Sequence, residues 1–201
     1  KTMIEMTALS NGVNLPLDKV GMNGPVSEVK DLNKTLIPKE DGGVLSSTGR
    51  VDFAFGPAPG VFSIVKSDSP TVIEEMEYLS MGEGPYYTLY RPYHLASVEA
   101  PRSVGMAVIN NEPGLQPKTW ISEVIGHAKK DLEPGETIDG IGGFCSYGVA
   151  YPVADSKGLA PLGLLEGGKV TKSIKQGDPI SLDSIELPDN LINELRRKQK
   201  N

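Results

Sequence analysis

Two stretches of the chain carry nearly the same phrase. Residues 128–138 read AKKDLEPGETI and residues 170–180 read VTKSIKQGDPI. Lys130 aligns with Lys172, Leu132 with Ile174, Gly135 with Gly177, Glu136 with Asp178 and Ile138 with Ile180, forty-two residues apart. Pro134-Gly135 has the chemistry of a type II turn, whose third position needs the positive φ that glycine supplies. Gln176-Gly177 can make the same turn without the proline. Leu132 with Ile138, and Ile174 with Ile180, then fall at matched places on the flanking strands. The pattern predicts two hairpins in a pseudo-twofold arrangement that buries these four side chains together. The neighbouring runs SYGVAYPVA, APLGLLEGG and PISLDSIEL are short, apolar and punctuated by glycine. A small all-β domain is therefore expected from about residue 118. Pro188-Asp189 then caps a final helix with Leu191, Ile192 and Leu195 facing in. Its last residues, RRKQK, suit the negative C-terminus of a helix and read as a solvated tail rather than a nucleic-acid patch.

The first 117 residues mix two periods. TMIEMTALS (2–10) places Met3, Ile4, Met6 and Leu9 at helical spacing, and Asn11-Gly12 is a stop signal. Lys1 and Glu5 are one turn apart. VSEVKDLNKTL (26–36) predicts a second short helix with Val26, Val29, Leu32 and Leu36 on one side. VDFAF (51–55) and VFSIV (61–65) predict strands joined by GPAPG (56–60). Ser69-Pro70 reads as N-cap and first turn of a helix that Gly82 stops. YYTLY (86–90) predicts a strand or an extended loop, and Pro101 opens a helix containing Val104, Val108 and Ile109. The expected fold class is α+β: a mixed α/β region over residues 1–117, then an all-β domain over 118–201 ending in a helix.

Composition removes several function classes. Cys145 is the single cysteine, so no intrachain disulfide exists, and with only His94 and His127 beside it a zinc ribbon or finger is excluded. No metal site is expected. A net charge of −6 argues against a broad nucleic-acid surface. No apolar run approaches the ~20 residues of a membrane span, and the expectation is a cytoplasmic protein. The opening Lys-Thr-Met, without an initiator methionine, suggests a piece of a longer protein.

KTMIEMTALSNG, VDFAFGPAPGVFSIV, MGEGPYYTLYRPYHLASVEAP and HAKKDLEPGETIDGIGGF, in that order, resemble the rear portion of homoserine-dehydrogenase-like proteins with a C-terminal SAF domain. The resemblance runs through nearly the whole chain. The repeated phrase followed by SLDSIEL is similar to the SAF domain itself, a β-clip fold. The resemblance implies an NAD(P)-dependent oxidoreductase that acts on a small hydroxy/carbonyl or sugar-phosphate substrate and forms a homo-oligomer. One branch of the family resembles a deoxyxylulose-phosphate reductoisomerase in activity. It also implies a Rossmann domain ahead of the first motif, holding NAD or NADP. Here the sequence departs from the family, for it contains no G-x-G-x-x-G between a strand and a helix. FGPAPG has three residues between Gly56 and Gly60, and GIGG (140–143) leads into the strand pattern FCSYG rather than a helix N-terminus. These residues alone are expected to be inactive.

Reduction of a carbonyl needs a proton donor near the oxygen and, for an anionic substrate, a cation. The resemblance implies Lys1 as the acid/base, at the lysine of an Asp-Gly-Thr-Lys stretch in the family, with Glu5 as its acidic partner. The plain alternative is an ordinary surface pair. In YRPYH (90–94), Arg91 can grip a phosphate or carboxylate through two hydrogen bonds, His94 can move a proton near neutral pH, and Tyr90 and Tyr93 can line the pocket. Alternatively Arg91 meets a structural carboxylate and the tyrosines pack. Gly56, Pro57 and Gly60 would let backbone approach the cofactor closely, or form a tight connection only. KEDGG (39–43) reads as a solvated turn, with a substrate-facing loop as the alternative, His127 as structural and Cys145 as a buried inert thiol. A different class of function is a non-enzymatic SAF-type module that binds a carbohydrate or a partner chain.

Overall fold

The computed structural model describes residues 1–93 and 95–199. In chain order the elements are α1 (Thr2–Val13), α2 (Leu32–Thr35), β1 (Val61–Lys66), α3 (Pro70–Tyr78), β2 (Tyr86–Arg91), α4 (Ala96–Ile109), β3 (Ser122–Ala128), β4 (Ser146–Pro152), β5 (Lys169–Val170), β6 (Ile185–Glu186) and α5 (Leu191–Lys198). The class is mixed α+β. Two compact units form: residues 1–22 with 117–201, and residues 23–116. Packing thus groups α1 with the C-terminal residues, whereas the functional division drawn from the sequence follows the chain at 117/118.

In the first unit, here the repeat unit, both glycine turns close. The Glu136 amide donates to the Glu133 carbonyl and the Asp178 amide to the Lys175 carbonyl, each at 3.1 Å. Gly135 and Gly177 take φ of 94° and 90°, where any side chain would be strained. The surrounding bonds come in matched pairs. Leu132 and Ile174 exchange both backbone bonds at 2.9 Å. The Gly135 amide donates to Val170 and the Gly177 amide to Ala128, and the Ile138 amide to Gly168 and the Ile180 amide to Gly126, all at 2.8 Å. Shifting one bond of each pair by forty-two residues yields the other, as a local twofold through the Leu132–Ile174 pair requires. Leu132, Ile138, Ile174 and Ile180 share one buried core with Ala128, Val170 and Leu165. The matched glycines serve that core: a Cβ on Gly126 would meet Leu165 Cδ1 at 2.2 Å, and one on Gly168 would meet the Leu165 carbonyl at 2.9 Å. β3 pairs antiparallel with β4, from Ser122 opposite Pro152 to Ala128 opposite Ser146.

Two helices of this unit differ from expectation, and a polar side chain explains each. α1 runs through Asn11-Gly12 and ends only at Asn14, which takes the left-handed conformation at φ 58°. The Asn11 side chain is engaged elsewhere: its Oδ1 accepts the amides of Ile121 and Ser122 at 2.9 and 3.1 Å, and its Nδ2 donates to the Ser122 carbonyl at 3.0 Å. α5 is capped by Asn190, whose side chain accepts the Asn193 amide at 2.9 Å. Leu191, Ile192 and Leu195 are 67%, 59% and 57% exposed while Asn193 is buried, so the expected inward face points out. The helix docks through Arg196 instead, with its guanidinium 4.4 Å from the centre of the Trp120 ring and 2.6 Å from Glu123 Oε2. A cation–π contact and a charge-assisted bond seat the helix, and its apolar residues stay outside.

In the second unit, here the hairpin unit, β1 and β2 pair antiparallel from Val61 opposite Arg91 to Lys66 opposite Tyr86. Leu32, Leu36 and Leu45 form a core against Phe62 and Ile64. The strand expected over 51–55 does not form. The Asp52 carboxylate accepts the amides of Asn23, Gly24 and Phe53 at 2.8–3.1 Å, together with Asn23 Nδ2 at 2.9 Å. That side chain folds the segment into a knot, from which Phe55 makes one parallel bridge to Val26. The helix expected over 26–36 reduces to a 3₁₀ turn, Val29–Asp31, and α2. Pro101 lies inside α4, which begins at Ala96; the proline leaves the Ser97 carbonyl without its usual donor and the helix continues.

Candidate functional site

Alternate residues of a strand share a face, so Tyr86, Thr88 and Tyr90 of β2 stand in a row. They line a cleft of about 1000 Å³ together with Lys30, Asn33 and Lys34. Ligand sites commonly occupy about 300–1,000 Å³. Tyr86 is buried, and its hydroxyl donates to Asp41 Oδ2 at 2.6 Å. The Lys66 ammonium lies 3.7 Å from the same carboxylate oxygen and 5.2 Å from the Tyr86 ring centre. Burial first, then the bond to Asp41, pushes the Tyr86 hydroxyl above its ordinary pKa, so it remains a donor. The Tyr86 oxygen, and after it Asp41, holds the Lys66 ammonium above its ordinary value. Asn33 Nδ2 donates to the Tyr86 carbonyl at 2.9 Å, while Asn33 Oδ1 and Thr88 Oγ1 are buried without a hydrogen-bond partner. The KEDGG stretch is an exposed turn, and it also brings Asp41 to the lining of this cleft. Neither Asn33 nor Thr88 stood out in the sequence, since an isolated amide or hydroxyl has no spacing that marks it.

The residues chosen from the sequence take varied places. Tyr90 lines the cleft, and its hydroxyl donates to the Pro57 carbonyl at 3.1 Å. Its ring lies against Gly60, where a Cβ would come within 2.5 Å, while a Cβ on Gly56 would meet the Ser27 carbonyl at 2.3 Å. The freedom of both glycines serves contacts within the protein. Pro57 is buried, and β1 rather than a helix follows the turn, so GPAPG does not fit a pyrophosphate cradle. Arg91 pairs with Glu99 in the first turn of α4, the carboxylate partner named as the alternative above. Tyr93 is 54% exposed. His94 lies outside the described residues. Lys1 and Glu5 form an ion pair at 3.7 Å with side chains 85% and 48% exposed. These two belong to the repeat unit, the others to the hairpin unit.

His127 has both ring nitrogens engaged. Nδ1 donates to the Gly177 carbonyl at 2.8 Å, which leaves Nε2 to accept from the Tyr151 hydroxyl at 3.0 Å. It tethers β3 to the second repeat turn. Cys145 is buried. Among the described residues no group of three or more His, Cys, Asp or Glu is placed to hold a metal ion, and no helix is long and apolar enough to cross a membrane.

Residues 1–100 match the model of a protein family described as "Oxidoreductase DRL, catalytic domain". No curated protein matches the chain. The family match supports an oxidoreductase catalytic domain, and its span contains the cleft and every candidate residue named from the sequence.

Proposed function

We propose that the chain is the substrate-binding and SAF-type portion of an NAD(P)-dependent oxidoreductase resembling homoserine dehydrogenase, acting on a small hydroxy/carbonyl or sugar-phosphate compound. The observation that carries this reading is the match of residues 1–100 to an oxidoreductase catalytic domain. Lys1 gives a proton to the carbonyl oxygen, or takes it from the hydroxyl in the reverse direction, with Glu5 as its acidic partner. Arg91 exchanges Glu99 for the substrate's anionic group, Tyr90 and Tyr93 line its path, and His94 moves a proton near neutral pH. NAD or NADP supplies or takes the hydride, held by a Rossmann domain that these 201 residues do not contain. Gly56, Pro57 and Gly60 contact it at most from the side. The twofold β module is a SAF-type β-clip that builds a cytoplasmic homo-oligomer.

Fluorescence titration with NADH and NADPH tests the reading on the present residues and on a longer chain that carries the nucleotide domain. Binding is expected for the longer chain only. That chain should reduce a compound from a screen of 2-hydroxy, 4-hydroxy and sugar-phosphate carbonyls, and Lys1→Ala should lower its kcat by about 100-fold or more. Absence of hydride transfer to any of these classes overturns the assignment, and unchanged turnover in Lys1→Ala removes Lys1 from it.

A further inference from the structure

No residue of α4 is buried. Its Val98, Val104, Val108 and Ile109 are 62–79% exposed. A helix of this length is marginal in water unless an apolar face is covered. Ala100, Pro101, Val104, Gly105, Val108 and Ile109 line one groove along it. They recur at the three- and four-residue spacing of a single helix face. The charged residues of α4, Glu99 and Arg102, lie off that face, and Glu99 is already paired with Arg91.

Gly105 has no reason within its own unit. Glycine weakens a helix interior, yet a Cβ there would meet nothing within 4 Å and its φ is not positive. The notch it leaves suits a neighbour from outside. The groove is complementary to itself when a second α4 lies antiparallel with Val104 opposite Gly105. In that register Pro101 faces Val108 and Ala100 faces Ile109, so the valine and isoleucine ridges meet glycine, proline and alanine.

The same register carries Glu112, three residues beyond Ile109, to Ser97 in the first turn of the other helix. The N-terminus of a helix attracts a carboxylate. Here it has no side-chain cap, since the N-cap residue is Leu95. Among the described residues nothing pairs with the Glu112 carboxylate. A parallel pair would instead set Gly105 on Gly105, Ile109 on Ile109 and like poles of the two helices side by side.

We infer that α4 is a self-association helix, which packs antiparallel on α4 of a second copy of this chain about a twofold axis beside Val104 and Gly105. The contact is isologous, so it closes as a dimer. It is separate from the β module to which the oligomer is assigned above.

Disulfide trapping of the 201-residue chain under mild oxidation tests both the partner and the register. Positions 100 and 109 lie about 13 Å apart on one helix, too far to bridge within a chain. The double variant Ala100→Cys with Ile109→Cys is expected to form a covalent dimer, and neither single variant is. Cys145 is buried and does not compete. Adding Gly105→Leu should slow trapping at least tenfold by filling the notch. It does so without unfolding the helix, because leucine favours helix over glycine and meets nothing in its own unit. Glu112→Lys should slow trapping less. No covalent dimer, as when another protein or another segment covers α4, overturns the inference. So does trapping in either single variant, or a rate unchanged by Gly105→Leu. The hydride-transfer test reads none of these outcomes, so the two proposals fail separately.

Discussion

The two units use similar parts to different ends. Each joins an antiparallel strand pair to short helices through glycine- and proline-rich turns. In the repeat unit the turn carboxylates close on nearby amides and lysines, although Thr7 Oγ1 and Asn193 Oδ1 are buried without a partner. Asp131 accepts the Gln176 amide and Lys175 Nζ, both at 2.9 Å, and Glu136 accepts Lys130 Nζ at 2.5 Å and the Glu133 amide at 2.8 Å. Each turn is thus latched over a shared apolar core. In the hairpin unit Asp52 gathers the neighbouring amides into one knot, and three buried oxygens, on Asn33, Tyr87 and Thr88, have no partner. Both units leave a few buried oxygens unpartnered; what differs is what the carboxylates hold, two turns over a shared apolar core in one and a single chain segment in the other.

The largest effect that separates the units is a core truncation. Ile180 is fully buried at the twofold core, and Ile180→Ala should cost about 2–5 kcal/mol. Urea unfolding followed at Trp120, which belongs to the repeat unit, should show that loss, while amide exchange in β1 and β2 stays unchanged. Equal loss of protection in β1 and β2 would mean that the two units unfold as one.

A smaller effect runs the other way. Asp52→Ala leaves the amides of Asn23, Gly24 and Phe53 without their acceptor, at about 1–3 kcal/mol. Hydrogen exchange should quicken at those amides and leave the Leu132 and Ile174 amides protected. Equal quickening at both places would break the comparison.

The smallest effect is electrostatic. The Gln176 amide, then Lys175, holds Asp131 below the ordinary carboxylate range; Lys130, then the Glu133 amide, does so for Glu136; the amides of Phe144 and Cys145 do so for Asp139. A depressed folded-state pKa contributes stability that is present above the unfolded value and lost as pH falls through the folded one. The repeat unit should therefore lose melting temperature below about pH 4, and Asp139→Asn should flatten that loss. A melting temperature independent of pH in this range would show that these latches carry no stability.

How much of this was legible depended on whether a signal was local. The glycine turns, the four matched apolar residues and the β1 and β2 segments could be read directly, because turn chemistry and alternation act over a few residues. The strand expected at 51–55, the stop expected at Asn11-Gly12 and the inward face expected for α5 all differ for one reason. Asp52, Asn11 and Arg196 found partners remote in sequence or outside their own element. The cleft was hidden for the same reason, since Asn33 belongs to a helical pattern, Thr88 to a strand pattern and Asp41 to a turn.

The repeat by itself determined that two turns would share one core, because each copy presents its apolar residues at matched places and glycine alone tolerates the required φ. Only the tertiary structure decided which polar groups would be satisfied and which would be buried without a partner. A hydrogen bond is short and directional, so its partner is set by where the folded chain places a second group and not by the residues beside the first.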